Sequence, residues 1–146
     1  MADLDLVKEL ALADDYLAVL CTTRRDSTVH APLVKAGILD DPEDGELSVG
    51  IVVAGSAIKL EHLRRSKTAT VVFKDGWQWA AVTGPARLEG PDDPMPTGSR
   101  RVADVIRDVY RSAGGTHDDW GAFDRAMAED RRCAVFVKAL DIISNG

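Results

Sequence analysis

The sequence predicts a mainly β fold, a small antiparallel barrel of six strands with a few flanking helices. Two observations carry this. Apolar stretches of strand length alternate with tight turns rich in Asp, Gly and Pro, and the three-to-four-residue apolar repeat of a helix is confined to a few short segments. No segment repeats and no low-complexity linker divides the chain, so residues 1–146 are read as one domain, long enough for a real core.

The elements follow in order. Residues 5–13 form a short helix, with apolar Leu4, Leu6, Leu10 and Leu12, expected to lie as a lid on one barrel end. Residues 16–22 are the first strand, Arg24, Arg25, Asp26 and Ser27 turn the chain, and residues 28–38 return as the second strand. Alternation places Val29, Ala31 and Leu33 on one face of it and His30, Pro32 and Val34 on the other. A turn over residues 40–45 leads to the third strand, 46–53, which feeds a helix through Gly55 and Ser56. Residues 68–73 are the fourth strand, and Lys74, Asp75 and Gly76 form a hairpin turn into a long fifth, 77–89. Gly84 and Pro85 in its middle predict a bulge or bend. Residues 90–96 read as a rigid loop. Val102, Val105, Ile106, Val109 and Tyr110 repeat at helical spacing, and Gly114 and Gly115 end that helix. A second helix, capped by Asp118 or Asp119, carries Trp120, Phe123 and Met127, and residues 132–144 are the sixth strand.

Composition excludes several classes of function. With 45% hydrophobic and 29% charged residues the chain has the balance of a globular protein. No apolar run approaches the roughly 20 residues of a membrane span. The acidic start, Met1 to Leu6, lacks a signal-peptide pattern, which makes the cytoplasm the expected location. A net charge of −6 argues against nucleic acid as a partner. Cys21 and Cys133 fit no ligand spacing, and His30, His62 and His117 form no zinc pattern, so no bound metal is expected.

The helix after the third strand carries the main functional signal. With Ser56 as N-cap, Lys59 is the third helical residue, where a capping box would place Glu or Gln. A cation there faces the positive end of the helix dipole, a penalty of about 0.3–1 kcal/mol. A bound anion reverses that sign, because free N–H groups, dipole and ammonium then converge on it. Arg64, Arg65 and Lys67 suit the other end of the helix and need no ligand. The alternative for Lys59 is a flexible lysine whose stem bends away into solvent.

Four stretches, in this order, carry a family resemblance: Thr28 through Val34; Ser56 through Arg65; Gly76-Trp77-Gln78-Trp79 through Ala86; and His117-Asp118-Asp119-Trp120 through Arg132. Together they resemble the split β-barrel oxidoreductases, the pyridoxamine 5'-phosphate oxidase-like proteins that bind flavin or deazaflavin, and most closely the actinobacterial branch that uses coenzyme F420. The resemblance implies a six-stranded antiparallel split barrel of the FMN-binding type and a homodimer with two cofactor sites at its interface. It also implies a cofactor phosphate held by a basic pair at the helix start. The matching positions here are Ile58 and Lys59, so the arginine usual in the family is missing, and with it a bidentate phosphate contact.

On this basis the expected cofactor-binding residues are Pro32, Leu33, Val34, Val52, Val53, Ser56, Ala57, Ile58, Lys59, Trp77 and Trp79. Trp77 and Trp79 would share one strand face and form a wall near the cofactor ring or the dimer interface. His30, Lys35 and His62 are further candidates, each with solvent exposure as the alternative. The implied activity is transfer of hydride from reduced coenzyme F420 to a small organic acceptor. FMN in its place, a protein that binds cofactor without turnover, and a barrel that has lost its cofactor are the alternatives. The ring would carry the chemistry, which fits the lack of any Ser-His-Asp set or paired catalytic carboxylates; no catalytic residue is assigned, and water or His30 would supply the proton.

Overall fold

The order of elements is the expected one, but nine strands stand where six are expected, because two of the expected strands bend. The structure, a computed structural model, describes residues 4–93 and 101–146. It runs α1 (Leu4–Ala13), β1 (Leu17–Thr23), β2 (Val29–His30), β3 (Leu33–Lys35), β4 (Gly37–Asp40), β5 (Leu47–Val53), α2 (Ile58–Ser66), β6 (Thr68–Asp75), β7 (Gln78–Glu89), α3 (Val102–Ser112), α4 (Trp120–Glu129), β8 (Cys133–Lys138) and β9 (Asp141–Ser144). The second half of the expected 90–96 loop, Pro94, Met95 and Pro96, lies outside the described residues, as do Met1, Ala2 and Asp3.

The expected strand 28–38 is three strands. Pro32, which has no N–H to give a ladder, separates β2 from β3, both of which pair with β1. At Ala36, fully buried and bonded through its N–H to the Tyr16 carbonyl (2.8 Å), the chain leaves β1 and pairs as β4 with β5. The expected strand 132–144 likewise turns a corner at residues 139–140. β8 pairs with β5 and with the second half of β7, while β9 pairs with the first half of β7. Two sheets result, β2/β3–β1–β6–β7–β9 and β4–β5–β8–β7, sharing the long strand β7. That is a barrel split into two halves.

The predicted bend at Gly84 has a steric cause. A β-carbon there would stand 1.9 Å from the Lys138 carbonyl oxygen, so only glycine lets the β8–β9 corner cross β7 where its partner changes.

Between the sheets lies the main core. Leu20, Val71, Phe73 and Val82 of the first sheet meet Val49, Ile51, Val135 and Val137 of the second. Val7, Leu10 and Ala11 of α1 close it on β6 and β7, and Leu60 and Leu63 of α2 join the same cluster. Burying each large side chain contributes about 1.5–3 kcal/mol. A second cluster covers the outer face of the other sheet, where Val105, Ile106, Val109 and Phe123 of α3 and α4 pack on Ala134 and Phe136. β8 is therefore buried on both faces, which explains why its sequence reads as a continuous apolar run without clean alternation. Inside this half sits an ionic cluster. Arg87 reaches buried Asp41 (2.5 Å) and fully buried Glu89 (2.6 Å), with Glu43 at 3.0 Å, and its guanidinium lies 5.0 Å from the Phe136 ring centre.

Candidate functional site

The end of β5 and the start of α2 are held against the connection between α4 and β8. The Gly55 N–H donates to the Asp130 carbonyl (3.0 Å), and a β-carbon on Gly55 would stand 2.5 Å from the Arg131 carbonyl oxygen. Glycine is thus required for the close approach that brings the start of α2 up to the head of β8.

The helix begins one residue later than expected. The Ala57 N–H closes a turn on the Ala54 carbonyl (3.0 Å), leaving Ala57 as the last extended residue, φ −70° and ψ 134°. Ala57 is thus the N-cap, and it has no side chain with which to cap. Ser56, expected in that role, is exposed and one position outside it, and Lys59 is the second helical residue, not the third. Among the described residues the N–H groups of Ile58 and Lys59 meet no backbone carbonyl. An uncapped helix start leaves more donors free and so draws an anion more strongly.

Lys59 is half-buried and, among the described residues, has no carboxylate partner. Burial, and then the neighbouring Arg132 guanidinium, hold its pKa below the ordinary lysine value. Arg132 is partly engaged by Asp130, at 3.0 Å from Nε and 2.8 Å from Nη2. An anion bound beside Lys59 would offset both effects, and the free N–H groups at the uncapped start of α2 suit a phosphate there.

Beyond Arg132 runs a groove of about 200 Å³ lined by Lys35, Val52, Val109, Tyr110, Phe123 and Met127. Its walls are mainly apolar and include two cations, Lys35 and Arg132. Lys35 is tied to Asp15 through both the carboxylate (2.8 Å) and the backbone carbonyl (2.7 Å).

The other expected residues are spread out. Of the two at the end of β5, Val52 lines the groove and Val53 is buried at 3% exposure in the core. Pro32 is half-buried, with its carbonyl accepting from the Leu20 N–H (3.0 Å), Val34 packs on the core, and Leu33 is exposed. Trp77 does not share a strand face with Trp79: it sits in the β6–β7 turn, 91% exposed, because pairing begins at Gln78. Trp79 is half-buried in β7, and Asn145 ties both, accepting from the Trp79 N–H (2.9 Å) and donating to the Trp77 carbonyl (2.8 Å). Neither tryptophan lines the groove.

His62 turns inward. It is 5% exposed, and its Nδ1 lies 2.9 Å from Thr22 Oγ1. The His30 ring stands edge-on to it at 5.3 Å, and His30 Nδ1 is buried with no hydrogen-bond partner among the described residues. Burial, followed by Arg24, His62 and Lys59, pushes the His30 pKa down. Sequence reasoning missed Arg132 as the neighbour of Lys59. No local spacing announces it, because the two residues meet only through the Gly55 contact.

No family model matches the sequence. The fold nevertheless has relatives among solved structures. A conserved hypothetical protein from Mycobacterium tuberculosis matches with a TM-score of 0.70 at 16% identity, covering 99% of this chain and 84% of that one. A pyridoxamine 5'-phosphate oxidase-related, FMN binding protein from Nostoc punctiforme matches with a TM-score of 0.64 at 10% identity, covering 99% and 84%. PhzG from Burkholderia lata, solved with tetrahydrophenazine-1-carboxylic acid, matches with a TM-score of 0.56 at 13% identity, covering 95% and 76%. The chain therefore has the split-barrel fold of pyridoxamine 5'-phosphate oxidase-like proteins. Among the described residues no helix is long and apolar enough to cross a membrane, and no group of three or more His, Cys, Asp or Glu is placed to hold a metal ion.

Proposed function

We propose that the protein is an oxidoreductase that binds coenzyme F420 and passes hydride between the deazaflavin and a small organic acceptor. The observation that carries this is Lys59, a half-buried cation without a carboxylate partner at the uncapped start of α2, beside Arg132. In this reading Lys59 and the N–H groups of Ile58 and Lys59 hold the cofactor phosphate. The cofactor supplies the hydride chemistry. The chain's own part is to orient and to exclude water: Val52, Val109, Phe123 and Met127 wall the groove, and Lys35 adds a cation to its lining. Water or His30, whose pKa burial pushes down, supplies the proton taken up by the acceptor.

The working unit in this reading is a homodimer. The groove, at about 200 Å³, is smaller than the roughly 300 Å³ at which ligand pockets begin, so a second wall is needed. The outer face of the first sheet offers a surface for it. Leu33, Val19, Val72, Ala81 and Ile143 form one cross-strand row there, with Leu33 and Ile143 exposed.

FMN in the same position is the second reading, supported by the description of the Nostoc protein with the same fold as FMN binding. Titration of the purified protein with coenzyme F420 and with FMN, followed by fluorescence or calorimetry, tests the two. Tighter binding of F420, with turnover of its reduced form on quinones, enones or tetrapyrroles, is the expected result. Binding of neither ligand below millimolar Kd would sink both readings.

A further inference from the structure

The molecule pairs its arginines thoroughly, and the exceptions are not scattered. Among the described residues Arg64, Arg87, Arg101, Arg107, Arg111, Arg131 and Arg132 each have a carboxylate within 4.0 Å. Arg24, Arg25, Arg65 and Arg125 have none. Three of those four, Arg24, Arg25 and Arg65, line one open cleft of about 380 Å³ between the β1–β2 turn and α2. In a chain of net charge −6, where a carboxylate is the commonest charged neighbour, that convergence leaves an excess of positive charge in one place.

The cleft is built, and not merely a place where mobile side chains gather. Arg24 Nη1 donates to the Val29 carbonyl (2.7 Å) and to Thr28 Oγ1 (3.3 Å), and Arg65 Nη2 donates to the Thr23 carbonyl. Backbone oxygens of one hairpin thus fix two guanidiniums from opposite walls, and each keeps further N–H groups for another acceptor. The two acids of the lining, Asp26 and Glu61, offset part of this charge, leaving three guanidiniums against two carboxylates, but neither forms an ion pair with an arginine among the described residues. Asp26 spends its Oδ1 on the Thr28 N–H (3.0 Å) and hydroxyl (2.6 Å), and Glu61 has no ion pair among the described residues. His62 completes the lining. Behind it are Thr22 and His30, the latter with its buried, unpartnered Nδ1. Ile58, half-exposed, forms the edge nearest the start of α2, and Arg132 is not part of the lining.

We propose that this cleft is an oxyanion site, taking a carboxylate or phosphate group of a small molecule on Arg24, Arg25 and Arg65. The site adjoins the Lys59 position, with Ile58 between them, but rests on the three arginines and not on the cofactor reading. Its occupant is either a free small anion or a second acidic group on a molecule whose phosphate sits at Lys59.

The test uses inorganic phosphate and citrate as probes, followed through the ring resonances of His62 and His30 by NMR. Each probe, added up to the order of 10 mM, should shift the His62 signals along a saturating curve. Arg25→Glu, which removes no internal bond, should weaken that response about tenfold or more, the size of one charge-assisted hydrogen bond. Arg125→Glu, an equal charge change at the acid-free arginine found elsewhere among the described residues, should leave it unchanged. Lys59→Ala should also leave it unchanged. Thermal unfolding of each variant, with Arg25→Gln as the gentler substitution, keeps loss of fold separate from loss of binding. The proposal is overturned if neither probe shifts His62 in the parent protein. It is equally overturned if Arg25→Glu and Arg125→Glu weaken binding alike, or if Lys59→Ala alone abolishes the response. For the cofactor reading, saturation of the cleft by a free anion with F420 affinity unchanged marks a separate ligand, and competition marks a shared one.

Discussion

The carbonyl oxygen of Lys138 occupies the space into which a β-carbon on Gly84 would project, 1.9 Å away. The contact sets the corner at which β8 gives way to β9 along β7. Gly84→Ala should therefore cost about 3 kcal/mol, the upper range for overpacking, because backbone and not a flexible side chain must move. Urea unfolding would show a lower midpoint at constant slope. A loss below about 0.5 kcal/mol, the scatter of neutral surface substitutions, would mean the corner is soft.

Arg87 answers two buried carboxylates, Asp41 and Glu89, and stacks on Phe136. Arg87→Met should destabilise the fold by about 3–5 kcal/mol, since it leaves buried charge uncompensated. Replacing Asp41 and Glu89 by their amides in the same chain should restore a good part of that loss. If the single variant unfolds at the parent's urea concentration, the carboxylates reach water and the cluster is ornamental to stability.

Lys59→Ala should weaken coenzyme F420 by about 1.5–3 kcal/mol, the range for a hydrogen bond to a charged group. Ile58→Arg introduces the arginine usual at this position in the proteins the sequence resembles, and should tighten binding. Calorimetry on the two variants checks both. An unchanged Kd for Lys59→Ala would put the phosphate elsewhere, and weaker binding by Ile58→Arg would show a remodelled pocket.

His30 gives a pH dependence whose sign is fixed. Burial lowers its folded pKa below the unfolded value near 6.5, so between the two the unfolded chain binds more protons. Its contribution is fully present above about pH 6.5 and is lost as pH falls towards the folded value. His30→Gln should flatten the fall in Tm across that window. A profile of the same steepness would assign the loss to other groups.

The Asp119 carboxylate accepts from the Ala122 N–H (3.1 Å) and caps α4. Asp119→Ala should cost about 1 kcal/mol of stability, read from chemical denaturation. The effect should be absent in Asp118→Ala, whose side chain is fully exposed.

The parts of the fold that depend on near neighbours were legible in the sequence. The spacing of Val102, Val105, Ile106 and Val109 gave α3, Asp119 was one of two named caps, and Gly84 marked the bend. The corners at Ala36 and at residues 139–140 were not legible, because a strand changes partner there without changing its local character. The cap moved from Ser56 to Ala57 for a similar reason: Gly55 is pinned by Asp130 and Arg131, far along the chain. At the site, Lys59 was visible as a cation misplaced on a helix dipole, whereas its neighbour Arg132 was not. Arg24 and Arg25 read as turn residues and Arg65 as a helix-end cation, and only the folded barrel sets them around one space.

β8 carries a cost during folding that the finished barrel hides. It lies between β5 and β7 and forms ladders with both, yet follows them in the chain by the length of α3 and α4. Until it is laid in, β5 and the second half of β7 are open edges bearing Ile51, Val52, Val53 and Leu88. Such edges recruit strands from other molecules as readily as their own. Refolding yield should then fall as protein concentration rises, and a synthetic peptide spanning residues 133–138, added in excess, should poison refolding while leaving the native barrel untouched.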